Sequence, residues 1–318
     1  MSSSTAGSIS DLRRAVRSQK GRDLRTPAPF PGHCGGPDRA YDRESAGPSA
    51  SPHQGDWPDA DECSDLLPDS PTLEPERHKR YQSLSARITY LSIDRADLQY
   101  PAKELMRKMS CPTEADELRL KRVARYLKGV PRLVQKFPWR PLSAYLYVYV
   151  DSDFAGCHRT RKSTSGGACL WGEVCLKTCS RTQPTLALSS GEAELSAAVL
   201  GATESLGMVS VLSDFGMAAS ICMRSDATAA IGMVQREGLG KVRHLACSDL
   251  WIQQRIRRGD LRVGKWPGPQ NPSDLGTKGL DSNSIERHLS AMGFVAVAGR
   301  ALAALGLKSG AGRTAGSA

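Results

Sequence analysis

The sequence predicts an α/β fold, a mixed five-stranded sheet flanked by helices, preceded by a small helical unit and a disordered N-terminal leader. Three observations carry this. Apolar residues recur at helical spacing from Arg77 to Gly129. At Ser143 the period switches to two, and strand-like segments then alternate with helical ones. Residues 1–75 hold ten of the nineteen prolines and no sustained hydrophobic period, so they bury too little apolar surface to offset the entropy of ordering.

Each element has its own signal. In the helical unit, Tyr81, Leu84, Ile88 and Leu91 share one face, and a second run passes through Leu105 and Met106. Leu118, Leu120, Val123, Tyr126 and Leu127 build a third helix that stops at Gly129 and Pro131. SAYLYVYV (143–150) is a strand that delivers Asp151 at its end, and GGACLWGEVCLKT (166–178) is a hairpin turning near Gly172–Glu173. A long helix runs from about Ser190 to Phe215, with Gly216 as its stop. A strand at 220–225 and a helix from Thr228 to Gln235 follow, then a helix over Leu245–Arg257, a strand at 260–266 and a helix starting at Pro272. After Phe294 the chain is Ala/Gly-rich and reads as a frayed helix or disordered tail. The resulting division is a leader over 1–76, the helical unit over 77–140, the α/β domain over 141–294 and a tail over 295–318.

Charge narrows the partners. The 318 residues carry a net +10, but residues 1–75 hold 8 basic against 12 acidic residues, so the remaining 243 carry +14. A basic foldable part favours a polyanion such as nucleic acid. No apolar run reaches the roughly 18 residues of a membrane span, and the N-terminus lacks the apolar core of a secretory signal. Nine cysteines without tight spacing describe neither a disulfide framework nor a zinc site, since no CxxC pair occurs. These features point to a reducing, intracellular setting.

Four carboxylates stand at element ends or on a close-packed helix face. Asp151 leaves the most apolar strand, where α/β sheets place their ligands. Glu194 is followed at i+3, i+4 and i+7 by Ala197, Ala198 and Gly201. An ionised Glu on such a face needs a partner or a metal, unless the helix rolls it out to water. Glu192 by contrast has capping-box spacing from Ser189. Asp226 ends a strand and fits equally well as a helix N-cap. Asp274, in Asn271-Pro272-Ser273-Asp274, fits the compensation of a helix dipole.

Taken together, these residues resemble the ribonuclease H domain of copia-type long-terminal-repeat retrotransposons. The matching segments are VDSDFAG (150–156), RTRKSTSGG (159–167), TQPTLALSSGEAEL (182–195), SDATAAIG (225–232), GKVRHL (240–245) and NPSDLGTKGL (271–280). The helical unit resembles the end of the reverse transcriptase that precedes this domain, through RYQSLSARITYL (80–91), RADLQYPAKEL (95–105) and KRVARYLKG (121–129). The resemblance implies a ribonuclease H-like sheet and places the metal-binding catalytic quartet on Asp151, Glu194, Asp226 and Asp274, rather than on Asp153 or Glu192. Departures are Ala246 where the family often has an acid, Phe154 where it often has Trp, and PGPQ (267–270) without the mobile His of cellular enzymes. No YxDD-like motif and no Asp-Asp pair occurs, so this chain is not a working polymerase.

The chemistry agrees with the quartet. Two divalent ions about 3.5–4 Å apart align an attacking water and stabilise the leaving oxygen of a phosphodiester. Mg2+ is the expected ion, with Mn2+ as a substitute, because both take hard oxygen ligands. Two carboxylates 4 Å apart repel by about 4 kcal/mol at an effective dielectric of 20, so a gathered quartet calls for cations. Arg159, Arg161, Lys162, Ser163 and Thr164 form a loop suited to phosphate, with Lys241, Arg243 and His244 as a second cluster and Arg255, Arg257 and Arg258 as a third. The expected activity is Mg-dependent hydrolysis of the RNA strand of RNA–DNA hybrids, with an intact reverse transcriptase as a further partner and no membrane or small-molecule cofactor. The expected setting is a cytoplasmic particle or the nucleus, not secretion. The competing readings are a catalytically inactive nucleic-acid-binding relic and a structural subunit for an intact polymerase.

Overall fold

A computed structural model describes residues 70–139, 141, 143–157, 159–240, 242, 244 and 247–299. The predicted leader up to residue 69 and the tail from 300 onward lie outside the described residues. So do Lys241, Arg243 and Ala246.

The helical unit comprises α1 (Pro75–Leu91), a 3-10 turn (Ala96–Leu98), α2 (Gln99–Met106) and α3 (Glu114–Gly129). Thr113 and Asp116 cap α3 reciprocally, the Thr113 N–H donating to Asp116 Oδ2 at 2.9 Å. Tyr81, Ile88, Leu98, Leu105, Leu120 and Val123 form its buried core. The predicted leader ends too late. Leu73 is buried in this core and donates its N–H to Pro112 O at 2.9 Å, so the segment from about Pro71 belongs to the folded unit.

The sheet contains β2 (Tyr145–Asp153), β3 (Thr164–Trp171), β4 (Val174–Thr182), β5 (Ser220–Ser225) and β6 (Leu261–Lys265). Their order is β4-β3-β2-β5-β6, antiparallel through β2, β3 and β4, and parallel from β2 to β5 to β6. This is the mixed five-stranded arrangement flanked by helices that the sequence predicts. On β2, Leu146, Val148 and Val150 point into one core with α4 (Ser190–Asp214), α5 (Thr228–Gln235) and α6 (Trp251–Arg257). Tyr147 and Tyr149 point the other way, toward α7 (Ser282–Ala291) and Leu275. Gly216, at φ 74°, ends α4: its N–H meets Ser213 O and the Met217 N–H meets Leu212 O, a Schellman stop. By length and composition α4 is apolar enough to cross a membrane, against the expectation that no segment is. Here its small residues Ala197, Ala198 and Ala202 are buried in the core against the sheet.

Three elements differ from the sequence reading. The helix expected over Leu245–Arg257 is α-helical only from Trp251, after a 3-10 turn at Cys247–Leu250. The helix expected at Pro272 is a five-residue 3-10 turn, Pro272–Gly276. It stops where Gly276 presses against β4: a Cβ on Gly276 would lie 2.7 Å from Cys179 O. The true helix, α7, begins after Asp281, whose carboxylate accepts the Ser284 N–H at 2.9 Å. Finally, residues 294–297 form β7, which pairs antiparallel with β1 (Arg132–Gln135) rather than fraying.

Candidate active site

β2 is the central strand, and its last turn of pleat carries Asp151, which pairs with Gly166 on β3. Gly166 lets another element in. A Cβ there would stand 2.6 Å from Ser273 O and 2.7 Å from Thr277 Cγ2, so the 272–276 turn lies directly on the sheet. Asn271, fully buried, ties that turn to β2 by donating Nδ2–H to Val150 O at 2.9 Å, while its Oδ1 caps the turn at Ser273. The result delivers Asp274 and Thr277 beside Asp151. The Thr277 hydroxyl donates to Asp151 Oδ2 at 2.5 Å.

Helix α4 brings Glu194 to the same place. Gly201, two turns further along, allows the close approach: a Cβ there would meet Val150 Cγ1 at 2.3 Å. Glu194 turns toward the sheet rather than to water, and its Oε1 accepts the Ser152 N–H at 3.3 Å. Asp226 arrives from the end of β5. It is not a helix cap, because Ala227 occupies the N-cap of α5 and no side chain caps that helix. Gly268 packs against it, a Cβ there lying 2.7 Å from Asp226 Oδ2.

Asp151, Glu194 and Asp226 each offer an oxygen within 4.8 Å of the others. Asp274, the fourth residue of the predicted set, lies close enough to Asp151 for that charge to raise it, but is not among the three residues whose oxygens come within 4.8 Å of one another. Burial, and then the charges of Asp151 and Asp226, push the Glu194 carboxyl up to about 8. Burial and Asp151 likewise push Asp274 up to about 7 and raise Asp226. Glu194 Oε2 is buried and has no hydrogen-bond partner. A buried carboxylate oxygen without a donor is costly, and a cation held among three hard oxygen ligands removes that cost. The residues present therefore fit a divalent ion.

The neighbouring acids do other work. Asp153 accepts the Thr164 N–H and stabilises the turn after β2. Glu192 accepts the Leu188 N–H at 2.9 Å and the Ser189 hydroxyl at 3.1 Å, as a capping residue should.

The predicted phosphate contacts divide. Arg159 and Arg161 are exposed and Lys162 is partly so, on the loop between β2 and β3, with Arg161 in the left-handed region at φ 52°. Ser163 and Thr164 are corrections. Both are buried: Ser163 Oγ accepts the Ala155 N–H at 2.9 Å, and Thr164 Oγ1 takes Lys103 Nζ from α2 at 2.6 Å. Their hydroxyls brace the loop and do not face solvent. His244 is exposed, but its Nε2 stands 3.1 Å from Glu192 Oε1, so it is engaged with the start of α4. Arg255 and Arg257 pair with Asp260 and Glu237.

The sequence reading missed Lys278. Its Nζ lies 3.1 Å from Asp274 Oδ2 and 3.9 Å from Asp151 Oδ2. Burial opposes its charge, but Asp151 and Asp274 outweigh that and hold its pKa above the ordinary lysine value. The i, i+4 spacing from Asp274 was the available signal.

No family model matches the chain. An uncharacterized mitochondrial protein of Arabidopsis thaliana is 34% identical over 124 residues, which are 39% of this chain and 51% of that protein. The retrovirus-related Pol polyprotein from transposon RE1, also of Arabidopsis thaliana, is 26% identical over 220 residues, 68% of this chain and 15% of the polyprotein. A protein named secreted RxLR effector protein 161, of Plasmopara viticola, is 36% identical over 115 residues, 36% of this chain and 80% of its own length. The chain thus spans about half the length of one of these relatives and a small part of the polyprotein. Among solved structures, the ribonuclease H1 LC11, isolated from compost by a metagenomic approach, matches 46% of this chain and 99% of its own at 16% identity and a TM-score of 0.34. The same enzyme in complex with an RNA/DNA hybrid matches 42% of this chain and 93% of its own, at 14% identity and a TM-score of 0.31.

Proposed function

We propose, from the similarity to a retrotransposon Pol polyprotein over 68% of this chain, that it is a copia-type Pol fragment whose α/β part is a metal-dependent ribonuclease H. The proposed reaction is endonucleolytic hydrolysis of the RNA strand of an RNA–DNA hybrid. The observation that carries this reading is the orphaned, buried Glu194 Oε2 within the cluster of Asp151, Glu194 and Asp226.

Asp151, Glu194 and Asp226 would hold a divalent ion, Mg2+ in the cell or Mn2+ in its place, with Asp274 beside them. When bound, such an ion supplies Lewis-acid stabilisation of phosphoryl oxygens and activates water. The protein's part is to hold the carboxylates rigidly. Asn271 pins the 272–276 turn to β2, Thr277 fixes the rotamer of Asp151, and the Ser152 N–H orients Glu194. Burial and the charges of Asp151 and Asp226 push the Glu194 carboxyl up to about 8, and a divalent ion held there would favour its charged form. Arg159, Arg161 and Lys162 would hold the backbone of the hybrid, and 2′-hydroxyl contacts would mark the RNA strand.

In this reading residues 77–140 are the remnant of a reverse transcriptase end, residues 141–294 are the nuclease, and an intact reverse transcriptase is a candidate partner. The proposed setting is intracellular, in a cytoplasmic particle or the nucleus.

The test is incubation of the whole chain with an end-labelled hybrid and Mg2+. Cleavage confined to the RNA strand, abolished by Asp151→Asn or Glu194→Gln with hybrid affinity kept within a few fold, supports the reading. Hybrid binding by the unmodified chain without cleavage replaces it with that of an inactive nucleic-acid-binding relic.

A further inference from the structure

Among the four carboxylates stands a cation that belongs to the protein. Lys278 follows the buried 272–276 turn, and its N–H donates to Asp274 O at 3.3 Å, so its backbone is fixed relative to the site. Its Nζ reaches back over the turn to Asp274 Oδ2 at 3.1 Å and Asp151 Oδ2 at 3.9 Å. We propose that the Lys278 ammonium is the resident second cation of this site: the chain takes one divalent ion at Asp151, Glu194 and Asp226, and Lys278 fills the place beside Asp151 and Asp274 where another would bind. This rests on the nuclease reading above, and it departs from the two ions that the sequence resemblance implies.

Three observations converge on it. First, the oxygens that come within 4.8 Å of one another belong to Asp151, Glu194 and Asp226, whereas Asp274 turns its Oδ2 to the lysine. Second, Asp151 stands next to both the other triad carboxylates and Asp274, so a second divalent ion there would also need it. Its Oδ2 is already engaged, by the Thr277 hydroxyl at 2.5 Å and by the ammonium. Third, the orphaned oxygen lies on Glu194, on the triad side, and none of the buried orphan atoms is on Asp274. The buried unmet demand for a cation at Glu194 thus belongs to the triad.

Charge gives the same count. Four carboxylates with one divalent ion and one ammonium leave a net −1. A second divalent ion between Asp151 and Asp274 would sit against the ammonium and be repelled by it at short range. The lysine side chain is about half exposed, at 47%, so part of its charge also meets solvent.

Counting bound Mn2+ on the full chain tests this without any activity measurement. Free Mn2+ is followed by its paramagnetic resonance signal, and sites are counted relative to the Asp151→Asn/Asp226→Asn double variant. The expectation is one ion for the unmodified chain, one for Lys278→Arg, and two for Lys278→Met. Lys278→Gln, which is neutral but polar, carries the same expectation of two and serves if the Met variant does not fold. Two ions on the unmodified chain, or one on both neutral variants, overturns the inference and leaves the nuclease reading standing. No Mn2+ on any variant overturns both.

Discussion

The contact between α4 and β2 sets how closely Glu194 approaches Asp151, and Gly201 is where that contact is tightest. A Cβ at Gly201 would lie 2.3 Å from Val150 Cγ1 and 3.3 Å from Val148 Cγ1. Resting carbon atoms stand about 3.5–4.0 Å apart, so Gly201→Ala forces the helix and strand apart by roughly 1 Å. Val150 cannot swing away, because it is fully buried and β-branched. Overpacking at such a site falls at the upper end of about 1–3 kcal/mol. The better helix propensity of Ala returns about 1 kcal/mol, so the net loss is on the order of 2 kcal/mol. At about 2–4 °C per kcal/mol for a domain of this size, the melting temperature should fall by roughly 4–8 °C. Gly207 on the same helix is the control, being exposed with nothing within 4 Å of a Cβ. Gly207→Ala should raise stability by up to about 1 kcal/mol. Thermal unfolding followed by far-ultraviolet circular dichroism reads both variants, and Mn2+ affinity should weaken only in the first. If Gly201→Ala melts as high as Gly207→Ala, the close approach of α4 to β2 is wrong, and with it the placement of Glu194.

Replacing Arg159, Arg161 and Lys162 together by Ala should reduce the slope of log hybrid affinity against log salt by up to about 2–3, at about −0.7 to −0.9 per phosphate contact. An unchanged slope moves the duplex away from this loop. Burial, followed by the nearby charges of Arg287 and Lys278, pushes the fully buried His288 down to about 4. A depressed folded pKa means stability that is complete above the unfolded value of about 6.5 and is lost as pH falls toward 4, on the order of 2 kcal/mol by about pH 4.5. Denaturant midpoints between those pH values should therefore fall more steeply for the unmodified chain than for His288→Gln, and parallel curves would refute this. A chain beginning at Ser70 should melt like the full chain. One beginning at Glu76 loses the buried Leu73 and the bridge between Thr72 and Thr113, and should lose about 1.5–3 kcal/mol; equal melting would return these residues to the leader.

The sheet and its helices were legible because their signals are local. Leu146, Val148 and Val150 alternate with tyrosines over one strand, and Gly172 and Gly216 stand where the chain must turn. The capping role of Glu192 was legible too, since Ser189 announces a capping box. What escaped depends on distant partners. Asn271-Pro272 reads as a helix start, and only the press of Gly276 against Cys179 cuts that helix to a single turn. Ser163 and Thr164 have the composition of a phosphate loop, but Ala155 and Lys103 claim their hydroxyls. Lys278 joins the site through the fold of the turn before it, and no residue type in isolation marks that.

The pairing of β1 with β7 has a consequence for the order of folding. It joins Arg132 to Val297 across nearly the whole α/β part of the chain, in a ribbon of only four residues per strand. A contact that spans so long a loop gains little until the sheet between its ends has formed, so this clasp closes last. Short and at the periphery, it is also the first part to open, ahead of the global transition. Amide hydrogens of Leu133–Gln135 and Phe294–Val297 should then exchange together and faster than those of β2, as one latch that releases while the carboxylates stay in place.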